Sequence, residues 1–115
     1  MNDTPVREVA TLVNANGVRV AEFEMDPDSS GAWHHHSQVS EHCYCLKGRI
    51  VVEIAGKPPV NLEAGERCEL PAGVSHRLGN AQSQICRYLV VQGIGAYDFV
   101  ESKSEIQEMH SQCAR

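Results

Sequence analysis

Apolar and polar residues alternate over short stretches of this chain, and glycine or proline interrupts them about every eight to twelve positions. Period-two alternation marks a strand with one buried face, whereas a helix would repeat its apolar positions every three to four residues. Val18–Met25 follows the hairpin signal Asn16-Gly17. Ala32–His36 and His42–Leu46 are separated by the polar Ser37–Ser40. Arg49–Ile54 follows Lys47-Gly48 and ends at the break Gly56-Lys57-Pro58-Pro59. Val60–Leu62, Arg67–Leu70, His76–Leu78 and Ile85–Gln92 complete the series. This rhythm predicts an all-β sandwich or barrel. Only the tail changes period, where Ser102-x-x-Glu105 has the form of a capping box and predicts a short helix over Ile106–Ser111.

A length of 115 residues sets the expectation of a single domain over positions 1–115. With 42% hydrophobic and 22% charged residues, the composition is that of a globular protein. No stretch approaches the roughly 18 consecutive apolar residues of a membrane helix. Met1–Arg7 lacks the apolar centre of a secretory signal, so a cytoplasmic location is expected. A net charge of −5 without a basic run argues against a nucleic-acid or anionic-membrane partner. The five cysteines are odd in number and form no CxxC pair, so we expect buried thiols in place of a disulfide framework.

Two stretches carry the chemistry. The first is His34-x-His36-x4-Glu41-x6-Gly48, and the second is Gly65-x5-Pro71-x-Gly73-x2-His76-x3-Asn80. Alternation puts His34 and His36 on one face of a strand and His35 on the other. Glu41 opens the next strand, and His76 follows the turn at Pro71-Ala72-Gly73. If the barrel closes so that they meet, three imidazoles and one carboxylate suit a divalent transition metal. A histidine in a strand is more often a hydrogen-bonded structural residue, and His34-His35-His36 has the look of a purification tag. A tag would lie at a terminus, however, without a spaced glutamate or a second motif. The Gly, Pro and Gly of the second stretch alone coincide by chance on the order of 10⁻⁴ per starting position.

The paired stretches resemble the two motifs of the cupin superfamily. The second matches at every fixed position, and the first matches from His34 to Gly48. The family's usual glycine six residues before the first histidine falls on Asp28, so Gly31 is expected to make that turn instead. The resemblance covers Asp28 to Asn80 and implies a jelly-roll barrel (double-stranded β-helix) with a metal in its mouth. The implied ligands are His34, His36, Glu41 and His76. Gly48, Gly65, Pro71 and Gly73 would form turns, and Asn80 would staple one. The resemblance also implies a homodimer.

Four ligands leave open positions on a six-coordinate ion, and iron, manganese, zinc, nickel or copper suits the set. Glu22, Glu24, Gln38 and Gln92 are candidates to orient the ligands. Cys43 and Cys45 share the face of Glu41 and would lie below the metal, as packing or as soft thiols. Arg87 and Tyr88 are neighbours on one strand, so one faces the cavity, as a carboxylate fork or as a hydroxyl-bearing wall. Arg77 poses the same question, Trp33 is expected to serve packing or a subunit contact in preference to substrate stacking, and Gly93–Phe99 reads as a lid or, by preference, as the chain's exit along the barrel. Two functions compete: a metal-dependent enzyme acting on a small polar organic molecule, either an Fe(II) oxygenase or dioxygenase or a non-redox isomerase, lyase or hydrolase, and a non-catalytic binding or sensing module with a structural metal.

Overall fold

The computed structural model describes residues 4–102. Eleven strands occur among them: β1 (Val6–Ala15), β2 (Val18–Met25), β3 (Ser29–Ser30), β4 (His34–His35), β5 (Ser40–Lys47), β6 (Arg49–Ile54), β7 (Val60–Glu63), β8 (Arg67–Leu70), β9 (His76–Asn80), β10 (Cys86–Gly93) and β11 (Val100–Glu101). They form two antiparallel sheets, one ordered β1-β2-β10-β5-β8 and the other β11-β4-β9-β6-β7, with β3 also paired to β9. The sheets face each other as a jelly-roll barrel. No helix occurs among the described residues, and none is long and apolar enough to cross a membrane. The expected helix at Ile106–Ser111 lies outside them.

Alternation explains how each sheet acquires its inner face. In β6, Ile50, Val52 and Ile54 are buried while Arg49, Val51 and Glu53 are half-exposed. In β10, Cys86, Tyr88, Val90 and Gln92 turn inward, and β5 contributes Glu41, Cys43 and Cys45. Met25, Leu62, Leu70 and Leu78 fill the space between the sheets. The described cysteines are free thiols, and Cys43, Cys45 and Cys86 are fully buried.

The hairpin at Asn16-Gly17 forms as its sequence predicts, with both residues at positive φ (57° and 77°). The strand before it was not foreseen. β1 pairs with all of β2, but its register shifts twice, between Glu8 and Ala10 and between Thr11 and Val13. Each irregularity breaks the period-two pattern, and Val9, Leu12 and Val13 remain exposed, so the segment carries no clean alternation to read. The turn before β4 is also made differently from expectation. Asp28 itself adopts positive φ (49°), whereas Gly31 does not. Aspartate is one of the few non-glycine residues that tolerate this region, so it can stand where the family's motif has glycine.

Asn80 is a buried staple at the end of β9. Its side-chain amide donates to the carbonyls of Met25 (3.2 Å), Asp26 (3.2 Å) and Gln84 (2.8 Å), and its oxygen accepts from the Gln82 N–H (3.0 Å). One side chain thus ties the exit of β2 to the β9–β10 turn. Asn80→Ala should lower the unfolding free energy by about 2–3 kcal/mol, because it strands buried backbone groups. Urea denaturation would measure this, and a loss below about 0.5 kcal/mol would show that the staple is dispensable.

Candidate metal centre

Two strand registers build the site. On one sheet, His34 of β4 lies directly opposite His76 of β9. On the other, Arg19 of β2, Gln92 of β10 and Glu41 of β5 stand opposite one another in a row. Residues directly opposite across antiparallel strands point to the same face. The row therefore aims three polar side chains inward together. His36 follows β4 and, two residues beyond His34, turns to the same side.

The imidazoles of His34, His36 and His76 converge, with one ring nitrogen from each lying within 4.8 Å of the others. Glu41 Oε1 sits 2.9 Å from His36 Nε2 and 3.9 Å from His76 Nε2. His36, Glu41 and His76 are almost completely buried. Each ring turns its Nδ1 to a backbone carbonyl: His34 to Ala32 (2.8 Å), His36 to Asp98 (2.6 Å) and His76 to Val74 (3.3 Å). A carbonyl only accepts, so each Nδ1 carries a proton and each Nε2 is left for the centre of the cluster. His76 Nε2 is buried there without a hydrogen-bond partner among the described residues. A buried, partnerless lone pair beside two further imidazoles and a carboxylate fits a divalent metal ion.

Gln92 sets the carboxylate. Its oxygen accepts from the Arg19 guanidinium (3.0 Å), and arginine has only donors, so the amide nitrogen must face Glu41, to which it donates at 2.9 Å. Arg19 is itself paired with Glu8 (2.8 Å). Of the orienting residues considered from sequence, Gln92 takes the role. Glu22 and Glu24 point outward, where they pair with Arg87.

Burial divides the histidines. Loss of solvent pulls His76 down to about 4 and also lowers His34. Burial pulls His36 down as well, but its hydrogen bonds to Glu41 and the Asp98 carbonyl outweigh it and hold the group above the usual value. Burial pushes Glu41 up, yet the His36 hydrogen bond, the nearby His76 and the Gln92 amide bring it below the ordinary carboxylate range.

A cavity of about 360 Å³ opens from the cluster. Tyr88 lines it, whereas Arg87 is turned to solvent in ion pairs with Glu22 (3.3 Å) and Glu24 (2.6 Å), which removes it from the pocket. Cys43 and Cys45 share the inner face of Glu41 but lie deeper, in the apolar core and outside the cavity lining. Burial raises both thiols, Cys43 most strongly, so neither is a ready thiolate. Arg77 lies over the Trp33 ring (5.1 Å) and binds Glu53 (2.6 Å), away from the cluster.

The segment after β10 does more than leave the barrel. Phe99 stacks on His34 (centroids 4.1 Å apart, 16° between planes), and Tyr97 lies 5.3 Å from His36. Asp98 accepts from the Ser37 N–H (2.7 Å) and from its hydroxyl, which brings its own carbonyl to His36. The sequence does not single out Arg19, and it marks Tyr97, Asp98 and Phe99 only as part of the segment Gly93–Phe99, without a role at the histidines. They lie 22 to 65 positions from the motif residues they serve, Glu41 for Arg19 (through Gln92) and His34 or His36 for the others, too far for any local pattern to connect them.

The Cupin domain family matches residues 21–92 of this chain. No curated protein sequence matches it. Among solved structures, an uncharacterised protein with a double-stranded β-helix domain from Klebsiella pneumoniae is similar at a TM-score of 0.77 and 18% identity, over 90% of this chain and 89% of that one. Recombinant oxalate oxidase in complex with glycolate is similar at a TM-score of 0.76 and 19% identity, over 87% of this chain. The match spans only 56% of the oxalate oxidase chain. The polyketide cyclase RemF from Streptomyces resistomycificus gives 0.73 and 23%, over 94% of this chain and 79% of that one. At these identities the structural likeness establishes the fold alone. The family match covers more than half of the 115 residues and both histidine-bearing motifs, and the chain therefore belongs to the cupin family.

Proposed function

We propose that this protein is a metal-dependent enzyme whose organic substrate binds beside a divalent transition metal held by His34, His36, Glu41 and His76. The observation that carries this reading is His76 Nε2, buried against the cluster without a hydrogen-bond partner among the described residues. Such an atom costs stability unless a hydrogen-bond donor or a metal ion meets it, and three converging imidazoles with a carboxylate favour the metal. Nitrogen and carboxylate donors suit iron, manganese, zinc or nickel, and such an ion supplies Lewis acidity or, as iron, access to dioxygen.

The chain's own groups favour one style of chemistry. Apart from His34, His36 and Glu41, the described cavity lining holds no imidazole or carboxylate. Burial raises both Tyr88 and Tyr97, so their hydroxyls keep their protons and serve as donors. This supports a reaction driven by coordination of the substrate, an oxygenation or a Lewis-acid isomerisation or elimination. It weighs against one that needs a separate side-chain base. Gln92 holds Glu41 in place, and the rings of Tyr97 and Phe99 shield the imidazoles from bulk water.

Elemental analysis of untagged protein, purified without chelators, should give near one metal per chain, and His76→Ala should lose both the metal and any turnover. A His76→Ala protein that kept its metal would sink the assignment. Ligand binding without product in a substrate screen would instead favour a binding module.

Metal affinity should also depend on pH in a specific way. His34 and His76 are already neutral at neutral pH, since burial lowers both. His36 is raised, so its proton is the one a metal must displace. As pH falls below the His36 pKa, affinity should drop about tenfold per unit, with close to one proton released per metal bound. Chelator competition at several pH values measures the slope. A flat profile would contradict histidine ligation, and a slope near three would contradict the division among the rings.

A further inference from the structure

The cavity beside the cluster is chemically lopsided. Its polar groups gather at one end, at His34, His36, Glu41 and Gln92. Elsewhere its walls are mostly rings and aliphatic chains, with the hydroxyl-bearing Tyr88 and Tyr97 among the rings and Thr4 and Ser30 at exposed positions. Phe23 and Tyr88, opposite each other on β2 and β10, stack nearly parallel (5.5 Å, 14°) into one flat wall. Leu78 from the other sheet faces into the same space. Phe99, flat against His34, forms the rim nearest the imidazoles.

Arg19 is the one cation among the lining residues, and it offers no free charge. Its guanidinium is bound to Glu8 and Gln92 and lies over the Tyr97 ring (4.8 Å). A molecule charged along its whole length would lose hydration here without finding a free countercharge away from the cluster. A hydrocarbon ring would leave water at a gain and meet flat aromatic surface.

We propose that the ligand of this site is an amphipathic, ring-bearing molecule. One oxygen-rich head reaches the imidazoles and Glu41, and an uncharged ring lies along the Phe23–Tyr88 wall. This narrows the small polar organic substrate expected from the sequence to one that also carries an apolar ring. It rests on the metal-centre reading, which supplies the anchor for the head.

Two ligands that share one head and differ only in body test it. Glycolate and mandelate carry the same α-hydroxycarboxylate, and mandelate adds a phenyl group. Both are titrated calorimetrically into full-chain protein loaded with redox-silent zinc, its stoichiometry first verified by elemental analysis. Mandelate should bind at least about tenfold more tightly than glycolate, as expected for burying a phenyl ring. Phe23→Ala and, separately, Phe99→Ala should each cut that preference to about threefold or less. The second variant guards against a folding defect in the first. Equal affinities, tighter glycolate binding, or a preference unchanged in both variants would overturn the proposal. Failure of both ligands on stoichiometrically loaded protein would overturn it too, while leaving the metal centre standing. Failure of the protein to take up zinc would instead strike the metal-centre reading. The titration would then be run on the metal-free protein, where loss of the mandelate preference overturns the ring pocket as well.

Discussion

Strand register is the constraint on which the site depends. Side chains alternate strictly along a strand, so a slip of one residue exchanges the inner and outer faces. At β10 a slip would turn Gln92 to solvent and bring Val91 inward, separating Arg19 from Glu41. At β9 it would carry His76 away from His34 and present Arg77 to the core. The apolar residues hold the register: Val90 and Tyr88 on β10, two and four positions from Gln92, and Leu78 on β9, two from His76, are buried only when those polar residues face the cluster. Core and site are therefore specified by the same alternation.

Placing four polar groups inside an apolar barrel opposes folding unless each is satisfied. The backbone does much of this work. Three carbonyls accept from the three Nδ1 atoms, so the rings are oriented before any ligand arrives. Glu41 draws on Gln92 and His36. What is left over is directional: the Nε2 of His76 and its neighbours face one point. The contrast between His36 and His76 follows from distance and burial. The carboxylate oxygen is 2.9 Å from one ring and 3.9 Å from the other, close enough to offset desolvation at His36 and too far to do so at His76.

The last described segment joins the centre to the cavity. Asp98 supplies the carbonyl for His36, while Tyr97 and Phe99 on either side supply rings over the imidazoles. Ring orientation and cavity shape are thus governed by consecutive residues. β11 returns the chain to β4, directly beside His34 and His35, which holds this arrangement against the barrel.

Local spacing alone determined β2 and the strands from β4 to β10, but not the two-residue β3 and β11, and it determined the hairpin at Asn16-Gly17, the shared face of His34 and His36, and the two motifs with His76 and Asn80. These are legible because alternation and turn chemistry act over a few residues. The tertiary structure decided the rest. β1 escaped because its two register shifts erase the period. The outward turn of Arg87 and inward turn of Tyr88 required knowing which face of β10 meets the other sheet. Cys43 and Cys45 share the face of Glu41, yet depth in the barrel separates core from cavity, and depth is invisible to alternation. Tyr97, Asp98 and Phe99 reach the histidines, and Arg19 reaches Glu41 through Gln92, only through closure of the barrel, which unites segments far apart in the chain. Such contacts are selected by the packing of whole sheets, whose partners no window of neighbouring residues contains.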